Sequence, residues 1–377
     1  MLPADAKIYC GNTSVNVKDV REDHHIVASA GWGETSDTFV KDVYLNDVNT
    51  VPMLRITTAR GTVLRCTPDQ LCFGRFNPSL RMYSLYLHER STLGFRVGLA
   101  SDIIHEAIYM MTIGQNMSGR RNVTDKIWVI ENNPNLTNAT FMHKYVMAKY
   151  GLPDIPFSSK HKDSVLTDEH IRRLFDGIDT PMGAREFLRD SNMFIEHPHL
   201  TVKLADGEQV GSNSIQFVIF GGKDKTSTGH YSHLIQIQGI ADPNATMADQ
   251  FRAMKRQRNN RGLWYLEVTR DDLDEAELFV KTVSNLDDLE IVKKIQLTKK
   301  ASYYVLPASH LKRGMLVPIL NQHGCIDEDV VNKVEVYDYD GPLYDLQVVD
   351  LHNYIADNCV LMCYMQNSNP SRIKSLV

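Results

Sequence analysis

The stretch Tyr339-Asp340-Gly341-Pro342-Leu343-Tyr344-Asp345-Leu346-Gln347-Val348-Val349-Asp350-Leu351-His352-Asn353-Tyr354-Ile355-Ala356-Asp357-Asn358 decides the reading of this chain. Leu343–Val349 alternates in character, as does Val330–Tyr337 before it, and Asp340-Gly341-Pro342 separates the two runs. Alternation with a period of two predicts half-buried strands, and Gly beside Pro predicts a break between them. Upstream, His310-Leu311-Lys312-Arg313-Gly314-Met315-Leu316-Val317-Pro318-Ile319 leads into the same β pattern. Downstream, residues 364–377 are polar and predict a loose tail.

At the far end, residues 1–79 show the same style. Thr13–Val17, Phe39–Tyr44 and Met53–Thr58 are β-type runs, and Ala59-Arg60-Gly61-Thr62 predicts a hairpin turn into Val63–Cys66. The middle is mixed. Met82–Leu87, Phe95–Gly98 and Lys126–Ile130 predict strands, and Asn138–Lys149 predicts a helix stopped by Gly151. Thr167 caps a further helix beginning at Asp168. Strands over His233–Gln238, Leu263–Val268 and Glu290–Leu297 alternate with helices over Met247–Arg256 and Asp272–Ser284, giving a small α+β unit. Two β-rich ends around a mixed middle make one domain only if the ends meet in space. The middle is then an insertion.

A chain of 377 residues can bury a large core without covalent staples. Its net charge of −5 argues against a DNA-coating protein, which carries a basic bias. Cys10, Cys66, Cys72, Cys325, Cys359 and Cys363 form no CxxC pair, so reduced thiols are expected rather than a zinc site or disulfide framework. The first residues lack a basic and apolar leader pattern, and no apolar run is long enough for a membrane span. These features point to the cytoplasm, with no membrane contact.

The quoted stretch resembles the C-terminal splicing block of inteins and hedgehog-type Hint domains, x-x-G-x-x-Y-D-L-x-V-x-x-x-H-N, at nearly every position. Gly11-Asn12-Thr13-Ser14-Val15 resembles the turn after an intein's first residue. Arg60–Leu71 resembles the second block, G-x-x-x-x-x-T-x-x-H. The arrangement is most similar to inteins of bacterial superfamily-I DNA helicases. The resemblance implies a β-rich Hint (hedgehog/intein) horseshoe from both chain ends, with an inserted α+β nuclease-like region. Residues 1–79 would be its N-terminal half, 80–157 a degenerate GIY-YIG-like insert, 158–300 an α+β insert subdomain, and 301–363 its C-terminal half.

Splicing needs a Cys or Ser at the first position, a block His that activates the scissile amide, and a terminal His-Asn pair followed by a second nucleophile. Counted back from Val15, the first position falls near Lys7 or Ile8, with Cys10 inside the turn. The block His aligns with Gln70, the terminal pair with Met362-Cys363, and the following nucleophile with Tyr364. Gln70 cannot carry a proton at neutral pH. Asp345 is retained but has no terminal Asn or His to assist. His352 and Asn353 are expected to shape the turn before the last strand. Cys363 is expected to close a strand as a small hydrophobe. With Met1 just ahead of the first block, no host segments are expected.

Ser84-Leu85-Tyr86 and Arg96-Val97-Gly98 resemble the paired strands of GIY-YIG nucleases, which use a Tyr base, a phosphate-holding Arg and a metal-binding Glu. Tyr86 stands at the first tyrosine, Arg96 at the second, Asp102 near the arginine and His143 at the glutamate. Asp125 and Glu131 are alternative metal ligands. His24-His25 and His197-Pro198-His199 lack partners at metal-ligand spacing. Gly221–Thr226 lacks phosphate-loop spacing and predicts a hairpin turn. Lys255, Arg256, Arg258 and Arg261 form the densest basic run, read as a solvated helix end or as a remnant of DNA contact.

These readings predict a non-enzymatic, domesticated intein-like protein of phage or other mobile-element origin. It would have no cofactor, no metal and no small-molecule substrate, and would act as a protein-binding adaptor. A nucleic-acid-binding homing-nuclease remnant and an endonuclease with shifted residues are the alternatives.

Overall fold

The computed structural model describes residues 1–363 apart from residues 12, 78, 81, 102–124, 160–164, 202–213, 240–255, 259–263 and 288–289. The fold is β-rich, with 48% of the chain in strands, one large mixed sheet and few helices. No described helix is long and apolar enough to cross a membrane.

Two long strands dominate. Glu34–Thr58 and Ile326–Val348 pair antiparallel from Val331 opposite Thr58 to Val348 opposite Val40. The sequence reading broke each of them in two. Asp340-Gly341-Pro342 is not a separator: the strand runs through it with a bulge between Tyr339 and Gly341. A bulge absorbs one extra residue and leaves it unpaired. Gly341 takes φ +143° there, and a Cβ would lie 3.0 Å from the Tyr339 hydroxyl. The ribbon is buried at its ends through Val40, Met53, Leu54 and Ile56 and through Ile326, Val331, Leu346 and Val348. Val336 lies in its exposed middle. That explains the weak apolar signal where the sequence suggested breaks.

The two chain ends share a core. Leu2, Ala6, Ile8, Val17, Leu64 and Cys72 pack with Leu306, Val317, Ile319, Tyr354, Leu361 and Cys363. Leu2–Pro3 pairs with Leu343 and Tyr344. Leu71–Gly74 pairs with Tyr303–Pro307 and, at Cys72, with Leu361. Asn353–Ala356 and Cys359–Met362 form a two-residue hairpin through Asp357 and Asn358, both at positive φ. Asn and Asp tolerate this primed turn best after glycine.

The expected α+β elements are observed at Ser214–Ile219, His233–Gly239, Trp264–Arg270, Leu273–Asp287 and Glu290–Ile295. They do not stand apart. Ile215, Phe217, Ile235 and Val280 share a core with Ala28, Phe73, Tyr303, Ile355 and Met362. The helix expected over Met247–Arg256 is corrected at its end. Arg256–Arg258 is a strand paired with Trp264–Leu266, and residues 247–255 lie outside the described residues.

A second sheet has the order Leu200–Thr201, Lys126–Asn133, Tyr83–Arg90, Gly94–Ala100. The helices Leu136–Tyr150 and Thr180–Asp190 cover it, burying Leu85, Leu87, Val97 and Trp128 against Val146, Ala184, Phe187 and Leu188. The boundary at residue 157 does not follow the packing, because the same core continues to Met193 and the same sheet to Thr201. The helix stop at Gly151 (φ +64°) and the Thr167 cap on the His170 amide are observed as expected.

Candidate functional site

Residues from both chain ends meet beneath the long ribbon. The amino group of Met1 donates to Thr67 Oγ1 and to Gln70 Oε1, each at 2.7 Å. Gln70 Nε2 donates to the Met362 carbonyl at 3.1 Å. One buried amide thus bridges the first residue and the last strand. Lys7 and Ile8 lie on the strand Lys7–Cys10, paired with Asn16, Val15 and Ala356, away from Gln70. Met1, rather than Lys7 or Ile8, is the residue that reaches Gln70, and Leu2 beside it is fully buried.

Asp345 lies 5% exposed in the same core. Its Oδ1 accepts from the Leu346 amide at 2.8 Å and from the Tyr354 hydroxyl at 3.0 Å. Burial raises the Asp345 carboxyl above its ordinary range, and the nearby Met1 ammonium pulls it partly back. Burial and Asp345 together push the Tyr354 hydroxyl well up. Cys363 is 1% exposed, its thiol pushed up to about 12 by burial, so it stays protonated. Its amide donates to the His352 carbonyl at 3.1 Å. Tyr364 lies outside the described residues.

His352 and Asn353 do not shape the turn before the last strand, which is Asp357–Asn358; His352 precedes the strand Asn353–Ala356 and Asn353 opens it. His352 takes φ +51°. Asn353 accepts from the Ser29 amide at 2.8 Å and donates to the carbonyls of Ser29 at 3.0 Å and Leu351 at 2.8 Å. It ties the C-terminal hairpin to the N-terminal part of the chain. Thr67 and Tyr354 are site residues the sequence reading did not assign a role, although both lie within its quoted blocks.

The chemistry available here is limited. Met1 offers a thioether, which cannot form an ester or thioester with a carbonyl. Gln70 can orient an amide but cannot move a proton. Asp345 accepts from the Tyr354 hydroxyl, and its charge acts on the Cys363 thiol, which stays protonated.

The second candidate cluster lies on the four-stranded sheet. Tyr86 pairs across the hairpin with Gly98, and His88 with Arg96. The Tyr86 ring covers Gly98, where a Cβ would lie 2.4 Å from the ring. The Tyr86 and His88 rings lie 4.4 Å apart. Arg96 stacks 5.8 Å from the Phe157 ring centre. His143, on the Leu136–Tyr150 helix, is hydrogen-bonded to the Val97 carbonyl. The structure therefore brings Tyr86, Arg96 and His143 together, and adds His88, which the sequence reading missed. Its signal was available: residues two apart on a strand face the same way. Burial lowers His88 well below the usual imidazole range, and the Arg96 charge adds to this. Burial also lowers His143 and Arg96.

The alternative metal ligands have structural partners. Asp125 Oδ2 accepts from the amide and hydroxyl of Ser91, and Glu131 accepts from Asn133. Among the described residues no group of three His, Cys, Asp or Glu side chains could hold a metal ion. Asp102, Lys255 and Arg261 lie outside the described residues. Arg256 and Arg258 lie on the strand that pairs with Trp264–Arg270, so the basic run is not a helix end there. Gly221–Thr226 lies in the connection between the strands Ser214–Ile219 and His233–Gly239, as expected for a hairpin.

His199 and His310 form a further buried group at the junction of the two sheets. His199 Nδ1 accepts from the Val129 amide at 3.0 Å, and its Nε2 meets the His310 carbonyl at 2.8 Å. His310 Nε2 accepts from the Phe194 amide at 3.0 Å. Burial lowers His199 to about 3 and His310 well below its usual range. His199 thus accepts at Nδ1 and donates from Nε2, and His310 accepts at Nε2. No family model matches the chain, and no curated protein matches it.

Proposed function

We propose that this chain is a Hint-type, intein-like protein that has lost splicing and nuclease chemistry and works by binding other proteins. The observation that carries the reading is the bridge from Met1 through Gln70 to Met362. An intein-like centre must bring its two junctions to one activating side chain. Here two distant segments meet at the residue aligned with that side chain. The groups at the meeting point are a thioether, a carboxamide and a thiol held protonated.

The shared core of the two chain ends supports a Hint domain interrupted by the middle of the chain. The Tyr86–Arg96–His143 cluster supports a nuclease-derived insert in which the metal-binding carboxylate has been replaced by an imidazole. A protein without turnover at either centre acts through its surfaces, and an adaptor role in a phage or mobile-element setting follows.

The test places a reporter domain at each end of the chain and incubates the fusion with thiol. The reading expects an intact mass and no nicking of plasmid DNA with magnesium or manganese. Thiol-dependent release near Met1, or cleavage at Cys363, would overturn the loss of splicing. Nicking abolished by Tyr86→Phe would overturn the loss of nuclease activity. Capture of defined host proteins by the wild-type chain, competed by untagged chain, identifies the binding role, and its absence in the native host contradicts it.

A further inference from the structure

Arg96 is 7% exposed, and its guanidinium stays charged at any ordinary pH. A buried cation without a counter-ion is costly, so natural proteins pair it. The nearest carboxylate acting on it is Asp154, which instead pairs with Lys144 at 3.2 Å. Among the described residues no carboxylate pairs with Arg96. Its buried Nε has no hydrogen-bond acceptor there, and neither His88 Nε2 nor His143 Nε2 has a partner. Three orphaned nitrogens thus lie in one cluster, on the strand Gly94–Ala100 at the sheet's edge, its neighbour and the helix beside it. Most buried polar groups are satisfied, so three exceptions together call for a missing partner.

We infer that the His88–Arg96–His143 cluster is a binding site for a small oxyanion, a phosphate or a carboxylate. The guanidinium fork supplies charge and paired donors of matching geometry. His88 can present a protonated ring nitrogen to the anion by choice of tautomer, whereas His143, whose other ring nitrogen donates to the Val97 carbonyl, donates from Nε2 only as the imidazolium that a bound anion favours. The Phe157 face lies against the guanidinium and the Tyr86 ring against His88, and the Lys144–Asp154 pair also acts on His143. The inference does not depend on the nuclease resemblance. Arg96 stands where that pattern has a tyrosine.

The test titrates wild-type protein with inorganic phosphate or with sodium acetate, at ionic strength held constant with chloride. Thermal unfolding should rise by about 2–4 °C once either anion is roughly ten-fold above its Kd. Response to phosphate alone assigns a phosphate site, and response to acetate assigns a carboxylate site. Arg96→Met should abolish the rise, and His88→Gln should reduce it. In wild type, the Arg96 Nε resonance should move with the same midpoint, which keeps the test decisive if the variants fold poorly. A rise of equal size in Arg96→Met, or an unmoved Nε resonance at saturating anion, overturns the proposal.

Discussion

The two candidate centres differ in how their polar groups are satisfied. At the meeting of the chain ends, Gln70 uses both its oxygen and its nitrogen, Asp345 accepts twice, and Asn353 makes three bonds. On the four-stranded sheet, Arg96, His88 and His143 each keep a buried nitrogen without a partner among the described residues. The first centre is a closed network that stabilises the fold. The second carries an uncompensated charge that costs stability until something binds. Substitutions should therefore act in opposite directions at the two sites.

The largest expected effect lies at the joint between them. His199 and His310 are held neutral, with folded values below the ordinary imidazole value. Unfolding lets them take up protons, so their contribution is full above pH ~6.5 and is lost as pH falls below it. The His199 ring, lowered to about 3, then costs about 2 kcal/mol between pH 6.5 and 5, and His310 adds to the fall in the same direction. His197 and Lys312 face the same rings and add positive charge. Urea unfolding at pH 7.5 and 5.0 should show this fall, and His199→Gln should flatten it. A flat profile in wild type would separate the two regions energetically.

Asn353→Ala comes next. It leaves the amide and carbonyl of Ser29 unpaired in the core, at about 1–3 kcal/mol per group, so a loss of about 3 kcal/mol is expected by urea unfolding. Arg96→Met should do the reverse and stabilise by about 1 kcal/mol without added anion, since an apolar isostere removes the desolvation cost. A loss of more than about 2 kcal/mol there would erase the contrast between the centres. The smallest effect concerns Arg256 and Arg258. Duplex DNA binding, read by fluorescence anisotropy, should be no tighter than ~10⁻⁶ M at physiological salt and should weaken steeply with added salt. Tight, salt-insensitive, sequence-specific binding would reject the adaptor reading.

Most strand positions were legible because half-buried strands alternate and turns carry Gly, Asn and Asp. The Thr57–Val63 turn followed directly from such signals, whereas the Asn353–Met362 hairpin, turned by Asp357 and Asn358, was not read from the sequence. Strand length was not legible. The middle of the Glu34–Thr58 and Ile326–Val348 ribbon faces solvent, so burial writes no pattern there. The division at residue 157 failed because the hydrophobic face that needs covering belongs to Leu85, Leu87 and Trp128, while part of its cover comes from Ala184 and Phe187. Gln70, Asp345, Met362 and Cys363 were singled out by pattern, and Met1, which no pattern named, bonds to Gln70. His88 belongs to no motif, and only the strand face it shares with Tyr86 marks it.

The most direct test of the central claim restores the missing groups at the meeting point. A fusion carrying an upstream reporter, with Met1→Cys and Gln70→His, places a thiol and an imidazole where the thioether and carboxamide now stand. Wild-type geometry already sets residue 70 within 2.7 Å of the Met1 nitrogen. The account predicts thiol-dependent release of the reporter at Cys-for-Met position 1 in the double variant, and no release from the wild-type fusion. A double variant that folds, melts cooperatively and keeps its reporter under thiol would contradict it.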